Sequence, residues 1–486
     1  MPQGIDYHAI LPELVLAGTV LLVVVVDAFL RPARRWLAMP LSLAGVLGAL
    51  AAALSLAGRK RATFGGAFVV DDFALLFKVF FLVVAVAVLA ISLRYIREGR
   101  YYQGEYYFLL LTSFLGCLLM PSSRDLLLLF LSLELVSAPA FLIAAFRKTD
   151  VRSTEGGLKF FLIGVLSTAV MLYGMSLVYG LTGATGLREI AARLAELPAG
   201  QGSLVLAAIL LVVAGFAFKV SAVPFQFWAP DTYEGAPVPV AAFLAVASQA
   251  AGFAGLLQLM FGAFAGQADL WAPVFAALSV ATMTVGNLIA LQQRQAIRLL
   301  AYSGIAQSGY MLLPFALAGA DPAIDRAAFA ATVTYILIYA VMNLGAYAVC
   351  VAVARERPGL LFPDFAGIVR RAPVLAVGMT LFMVSLAGVP PTGGFWAKFF
   401  VFTAAIERGG IGVWLAAVMV VNSVISLYYY LAIPRQMVFA DGDERPLVAP
   451  ALVRGVVAVA AVAIVALFVF PDLLARAPQG ATLLGP

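Results

Sequence analysis

Long apolar runs, separated by short polar junctions, recur along the whole chain. Strings such as LPELVLAGTVLLVVVVDAF and LLLLFLSLELVSAPAFLIAAF show neither the alternation of a half-buried strand nor the one-sided stripe of a surface helix. About 20 apolar residues suffice for a helix to cross ~30 Å of hydrocarbon. Fourteen such windows are predicted. The first seven are Leu11–Phe29, Trp36–Ala57, Phe73–Leu93, Tyr106–Met120, Leu126–Phe146, Leu158–Gly180 and Leu204–Phe227. The others are Pro239–Phe264, Trp271–Leu291, Ala296–Leu317, Ala327–Ala354, Val374–Ile406, Ile411–Ile433 and Ala451–Phe470. None carries the alternating pattern of a membrane barrel. The expected fold class is an all-α polytopic membrane protein of about 14 transmembrane helices.

Composition agrees, with 63% hydrophobic and 12% charged residues, far from the balance of a soluble domain. The segment leading into helix 1 holds Asp6 and Glu13, and Arg31, Arg34 and Arg35 follow it. That is the reverse of a signal peptide, so helix 1 is expected to be a retained span. Basic residues favour the junctions after odd-numbered helices by roughly two to one, which predicts both termini outside the cytoplasm. The run Arg59-Lys60-Arg61 opposes this bias, but Asp71 and Asp72 share its junction. The net charge of +6 follows from the cytoplasmic junctions and does not point to nucleic acid.

Much chemistry is excluded. His8 is the only histidine, and Cys117 and Cys350 are isolated among apolar residues. No zinc, haem or iron–sulfur spacing exists, and no glycine-rich phosphate loop follows a strand. The chain is expected to bind no metal or cofactor and to carry no redox centre.

Lysine usage is the informative exception. Six of the 31 basic residues are lysines; Lys60 and Lys148 fall in junctions, whereas Lys78, Lys159, Lys219 and Lys398 lie inside or beside apolar runs. Arginine keeps its charge at any accessible pH, while a desolvated lysine can release and regain a proton. The acidic counterpart is Glu134, within LLLLFLSLELVSAPAFLI. Intramembrane ionisable groups mark pathways, and this set suggests a proton path.

An internal repeat organises the middle of the chain. Gly116–Glu134 overlies Gly286–Gly304 at an offset of 170, pairing Arg124 with Arg294, and AVPFQFW corresponds to GVPPTGGFW. Helices 4–8 are thus expected to recur as helices 9–13. Five helices is an odd number, so the second copy enters from the opposite face. The expected divisions are 1–105 (three helices), 106–265 and 266–435 (two inverted repeats) and 436–486 (helix 14 and tail). Pro224 in helix 7, with Pro390, Pro391, Gly393 and Gly394 in helix 12, is expected to break those helices. Lys219 precedes one break and Lys398 follows the other. Either they serve an ion path, or the kinks are mechanical and the lysines snorkel.

The blocks KVSAVPFQFWAPDTYEGAPVPVAAFLAVASQAAGFA, LLLLFLSLELVSAPAFLIAAF, EGGLKFFLIGVLSTAVMLYG and LAGVPPTGGFWAKFFVF resemble the antiporter-like subunits of respiratory complex I, proton-translocating NADH:quinone oxidoreductase. FVVDDFALLFKVFFL and a lysine in broken helix 12 look like the N-type member, and only fifteen residues follow Pro471, unlike the L-type member with its long lateral helix. The resemblance implies a subunit that moves protons while quinone is reduced elsewhere. It implies that NADH, FMN, iron–sulfur clusters and quinone are held by other subunits. Its partners would be other membrane-arm subunits, including another antiporter-like subunit and small membrane subunits, in the lipid bilayer of a bacterial inner or plasma membrane. Multisubunit Na⁺/H⁺ antiporters share the family and are the alternative.

Carried over by residue, the resemblance gives Glu134, Lys159, Lys219 and Lys398 proton-transfer roles, with Glu134 opposite Lys219. At an effective dielectric near 20, opposite charges ~4 Å apart attract by about 4 kcal/mol, enough for a moving carboxylate to switch a lysine from holder to donor. The chain departs from the family where helix 8 has Gln249 in place of a titratable group. Glutamine also stands at 226 and 307 where relatives commonly carry histidine. The link between Lys219 and Lys398 would then rest on water ordered by Gln249, Gln307, Ser303, Ser308 and Tyr310; the same groups could equally be packing hydrogen bonds. Lys159 is open between a carrier role and interface snorkelling. Lys78 is expected to pair with Asp71, seven residues earlier on the same helix face. Asp231 and Glu234 are read as a structuring pair in the loop after helix 7, with proton entry as the second possibility.

Overall fold

A computed structural model describes residues 5–29, 32–99, 101–443 and 445–475. Arg31 and the tail from 476 lie outside the described residues, as does the side chain of Arg34. The chain is a bundle of α1 (Leu11–Phe29), α2 (Ala38–Leu54), α3 (Asp72–Glu98), α4 (Gln103–Leu119), α5 (Leu126–Ala144) and α6 (Val151–Thr182). The short amphipathic α7 (Leu187–Ala195) leads to α8 (Gly202–Lys219), α9 (Trp228–Gly235) and α10 (Val238–Ala263). Then come α11 (Ala268–Ala290), α12 (Ala296–Leu312), α13 (Pro322–Ala354), α14 (Pro373–Ala387), α15 (Gly393–Arg408), α16 (Ile411–Phe439) and α17 (Ala451–Val469).

Twelve of the described helices are long and apolar enough to cross a membrane. Two predicted windows are helical but do not meet that measure alone. Ala296–Leu312 is shorter, and the window at 374–406 is divided into α14 and α15 because Gly388–Thr392 cannot continue a helix. Helix α10 is buried all round and α13 nearly so, as expected of helices that are apolar on every face, while α6, α16 and α17 turn large residues outward. Cys117 and Cys350 are buried, unpaired thiols.

A small hairpin was not foreseen. β1 (Arg61–Thr63) pairs antiparallel with β2 (Phe68–Val70), Arg61 opposite Val70, across a turn in which Gly65 takes φ 66°. Its Arg61 is ion-paired with Asp6 at 2.7 Å, which offsets part of the basic run.

The Arg124–Arg294 correspondence has a structural counterpart. Leu187 N–H donates to Arg124 O and Leu126 N–H to Thr185 O, both at 2.9 Å; Phe362 N–H donates to Arg294 O at 3.0 Å and Ala296 N–H to Leu360 O at 2.8 Å. Helix α5 is then capped by Asp125 and α12 by Gln295. Gly116 and Gly286 are likewise equivalent. A Cβ at Gly116 would lie 2.5 Å from Val136 N of α5, and one at Gly286 2.6 Å from Ala306 N of α12. Small residues let these backbones touch, as membrane helices without a hydrophobic drive between them require.

The expected Lys78–Asp71 pair is not formed. Asp71 caps α3 through Ala74 N–H and pairs with Arg124 at 2.6 Å, so both of its carboxylate oxygens are already engaged. Lys78 instead meets Glu13 of α1 at 2.8 Å, with the Phe68 ring 4.7 Å from its ammonium. Both side chains are almost wholly buried. Removing one member leaves the other charge stranded, at a cost of about 3–5 kcal/mol, whereas replacing both by apolar residues is often neutral. Glu13→Leu should therefore lower the thermal midpoint of the purified protein sharply. Adding Lys78→Met should recover most of the loss, and a double variant as unstable as the single one would contradict the pairing.

Candidate functional site

The site is built on two broken helices. Helix α8 stops at Lys219 itself, and the chain runs irregularly through Val220–Phe227, with a cis Val223–Pro224 bond and Ser221 at φ 56°. The freed Val220 carbonyl accepts from Gln249 Nε2 at 3.1 Å and from Ser308 Oγ at 2.6 Å, and Gln249 Nε2 also donates to Ser308. The Lys219 ammonium, 2% exposed, donates to Ser137 Oγ at 2.8 Å.

The second break repeats this arrangement. Helix α14 ends at Ala387, Gly388 turns the chain at φ 86°, and Pro390–Pro391 is cis. Leu386 O accepts from Gln307 Nε2 and Ala387 O from Lys398 Nζ, both at 2.9 Å. Lys398 also reaches Ser423 Oγ at 3.1 Å and lies 4.6 Å from the Tyr310 ring centre. Each lysine thus sits at the carbonyl end of a half-helix, where the dipole favours a cation. Each break also has a carbonyl held by a glutamine.

Gly393 and Gly394 differ from expectation. They do not unwind the chain but open α15, and the break is carried by Gly388–Thr392. Gly394 is needed for close approach: a Cβ there would lie 1.8 Å from Ser385 O.

Gln249 follows a π turn at Leu244–Ser248, the extra residue of which rotates the helix face that follows. Gln307 accepts from Tyr335 Oη and donates to Tyr430 Oη at 2.8 Å, while Ser303 and Tyr430 share a 2.6 Å bond. Asn287 joins Tyr310, Asn422 and Tyr429 at 3.1, 3.1 and 2.8 Å. Sequence reasoning missed Tyr335, Tyr429, Tyr430, Asn287 and Asn422. The usable signal was a polar tip recurring inside windows that otherwise hold only apolar side chains.

Glu134 and Lys159 stand apart from the lysine pair. Glu134 accepts from Thr168 Oγ1 of α6 at 2.8 Å and makes no ion pair with Lys219 within 4.0 Å among the described residues. Lys159, 41% exposed, is bound by Glu155 at 2.7 Å and Asp231 at 2.6 Å. Asp231 and Glu234 are not in a loop; Trp228, stacked on Phe160 at 4.2 Å, anchors the α9 turn that carries them. Arg298 reaches both at 2.8 Å. Burial works against the charge of Asp231, yet the bonds from Lys159 and Arg298 outweigh it and hold its carboxyl below the usual carboxylate range. Among the described residues no group of three His, Cys, Asp or Glu side chains could hold a metal.

Residues 123–426 match the NADH:quinone oxidoreductase/Mrp antiporter transmembrane family. The chain is 39% identical over 444 residues to NADH-quinone oxidoreductase subunit N of Trichlorobacter lovleyi, covering 91% of this chain and 90% of that one. The chain belongs to the subunit N family of NADH-quinone oxidoreductases. Subunit N 2 of Streptomyces griseus is 44% identical over 442 residues, covering 88% and 82%. A chain of respiratory complex I from Thermus thermophilus, solved with bound aureothin, superposes with TM-score 0.80 at 30% identity, covering 96% of this chain and 99% of that one. A chain of the Mrp complex from a Dietzia species reaches TM-score 0.85 at 20% identity, covering 98% and 97%; that likeness shows a common fold.

In this chain, Gln249→Leu leaves Val220 O to Ser308 alone and removes a buried donor, a change worth about 0.5–1.5 kcal/mol. The thermal midpoint of the purified protein should fall accordingly. An unchanged midpoint would mean that the break is satisfied without Gln249.

Proposed function

We propose that this chain is a proton-translocating membrane-arm subunit of NADH-quinone oxidoreductase, passing protons along a mid-membrane axis while quinone is reduced in another part of the complex. The observation that carries the reading is the pair of buried lysines, Lys219 and Lys398, each at the carbonyl end of a broken helix and joined by polar groups. Glu134, Lys219 and Lys398 are the proton-transfer groups, and Gln249, Ser308, Gln307, Ser303 and Tyr310 hold the path between them. Lys159, in its cluster with Asp231 and Arg298, belongs to the entry end. NADH, FMN, iron–sulfur clusters and quinone are held by other subunits, a division supported by the lone His8 and the two isolated thiols. The outward apolar faces suit other membrane-arm subunits, among them another antiporter-like subunit and small membrane subunits.

The matched hydrogen bonds around Arg124 and Arg294 and the matched contacts of Gly116 and Gly286 support repeats at 106–265 and 266–435, flanked by 1–105 and 436–486. The odd helix number makes the repeats inverted, and the basic-residue bias puts both termini on the periplasmic side of the inner membrane. A multisubunit Na⁺/H⁺ antiporter would use the same axis. The subunit N relatives at 39% and 44% identity favour the oxidoreductase.

The switch works by charge and distance. With Glu134 held by Thr168 and Lys219 by Ser137, the two charges are apart. Attraction at an effective dielectric near 20 is about 4 kcal/mol at ~4 Å and about half that at ~8 Å. Approach of Glu134 therefore loads Lys219, and withdrawal lets the proton pass toward Gln249 and the second break. Glu134→Gln keeps the shape and the Thr168 bond but removes the charge. In proteoliposomes of the assembled complex it should abolish most NADH-driven proton pumping without loss of assembly. Pumping at the wild-type level would overturn the Glu134–Lys219 switch.

A further inference from the structure

Helix α13 carries a polar file that the axis above does not use. Tyr335, Tyr339, Asn343 and Tyr347 recur every fourth residue, so they follow one face over ~18 Å of helix. All four are at most 3% exposed. Tyr335 is bonded to Gln307, but Tyr339 and Asn343 face only one another, without a well-formed bond, and they and the Tyr347 hydroxyl have no hydrogen bond to any residue outside the file. The Oε1 of Gln249 is unpartnered as well. It lies close by: Gln249 Nε2 points at Gly304 O from 3.5 Å, and a Cβ on Gly304 would come 3.0 Å from Tyr339 Oη. At its other end α13 leads to Leu360, whose carbonyl accepts from Ala296 N–H at 2.8 Å, two residues before the Arg298 that binds Asp231 and Glu234.

Scattered orphans are ordinary, but a continuous file of them is not. An unsatisfied buried amide or hydroxyl costs about 1–3 kcal/mol. A buried water typically makes about three hydrogen bonds to such groups. The Asn343 amide offers donors and an acceptor, and the flanking hydroxyls offer one of each, which is the donor set that a row of waters needs. Gly304 keeps the junction with Gln249 open, since any side chain there would press on the Tyr339 hydroxyl.

We propose that Tyr339, Asn343 and Tyr347 line a hydrated side branch. It joins the Gln249–Gln307 centre to the end of the bundle that carries the Asp231–Arg298 cluster, and protons enter the second half of the axis through it. The hydration stands on the unpartnered atoms alone; the passage of protons rests on the function proposed above. Asn343 and the tyrosines act here as positioning residues, holding water and not themselves exchanging charge with substrate.

Radiolytic hydroxyl-radical footprinting of the intact complex tests the hydration, because radicals formed in bound water mark the side chains beside it. Tyr339 and Tyr347 should be oxidised well above Tyr106, which is equally buried but bonded to Ser92 at 2.9 Å. Oxidation no greater than at Tyr106 would overturn the branch. Asn343→Leu should erase the footprint and most NADH-driven pumping, while Asn343→Ser, which keeps a hydroxyl and room for water, should retain both. If Asn343→Leu pumps like wild type while Glu134→Gln does not, the axis stands and the branch carries no protons. If Glu134→Gln pumps normally and Asn343→Leu fails, the Glu134–Lys219 switch falls and the branch remains.

Discussion

A helix broken at bilayer depth exposes carbonyls that lipid cannot satisfy, so the protein must supply donors from within. Both breaks in this chain obey that constraint, and the site follows from it. Val220 O is taken by Gln249 and Ser308, Leu386 O by Gln307, and Ala387 O by Lys398. Because donors must come from neighbouring helices, α10, α12 and α15 are drawn against the breaks. The same carbonyl ends favour a cation. Lysine at these points is therefore tolerated by the geometry that makes it useful.

The glutamines at 249 and 307 gain a physical reason from this arrangement. A titratable side chain can carry a proton, but a glutamine can hold a carbonyl and present its own oxygen at the same time. Gln307 does both, donating to Leu386 O and accepting from Tyr335. Between the lysines the chain thus offers fixed amides and hydroxyls, groups that can order water but do not change charge. In the proposed function, charge change falls to Glu134 on α5 and to Lys219 and Lys398 at the two breaks.

Much of this was legible in the sequence, for identifiable reasons. Pro224, Pro390 and Pro391 announce the breaks because proline removes a donor wherever it stands. The match of Arg124 with Arg294 was visible as spacing and reappears as paired backbone bonds. What stayed hidden depends on contacts far apart in the chain. Lys78 looked paired with Asp71 because both share a helix face, yet Asp71 was needed as a cap and Glu13 was the free carboxylate opposite. Asp231 and Glu234 looked like loop residues because prolines flank them, whereas the stacking of Trp228 on Phe160 fixes a helical turn there. The α13 tyrosines were invisible for another reason: in an apolar string a tyrosine reads as one more ring.

The central claim is that Lys219 moves a proton, not merely that it places a positive charge. Lys219→Arg separates the two, since guanidinium keeps the charge but does not release its proton. Proton translocation by the assembled complex carrying Lys219→Arg, measured beside Lys219→Ala in proteoliposomes with NADH and quinone, is the most direct test. The account predicts that the arginine variant loses nearly as much pumping as the alanine one. An arginine variant that pumps like wild type would contradict it and leave Lys219 as a fixed electrostatic anchor.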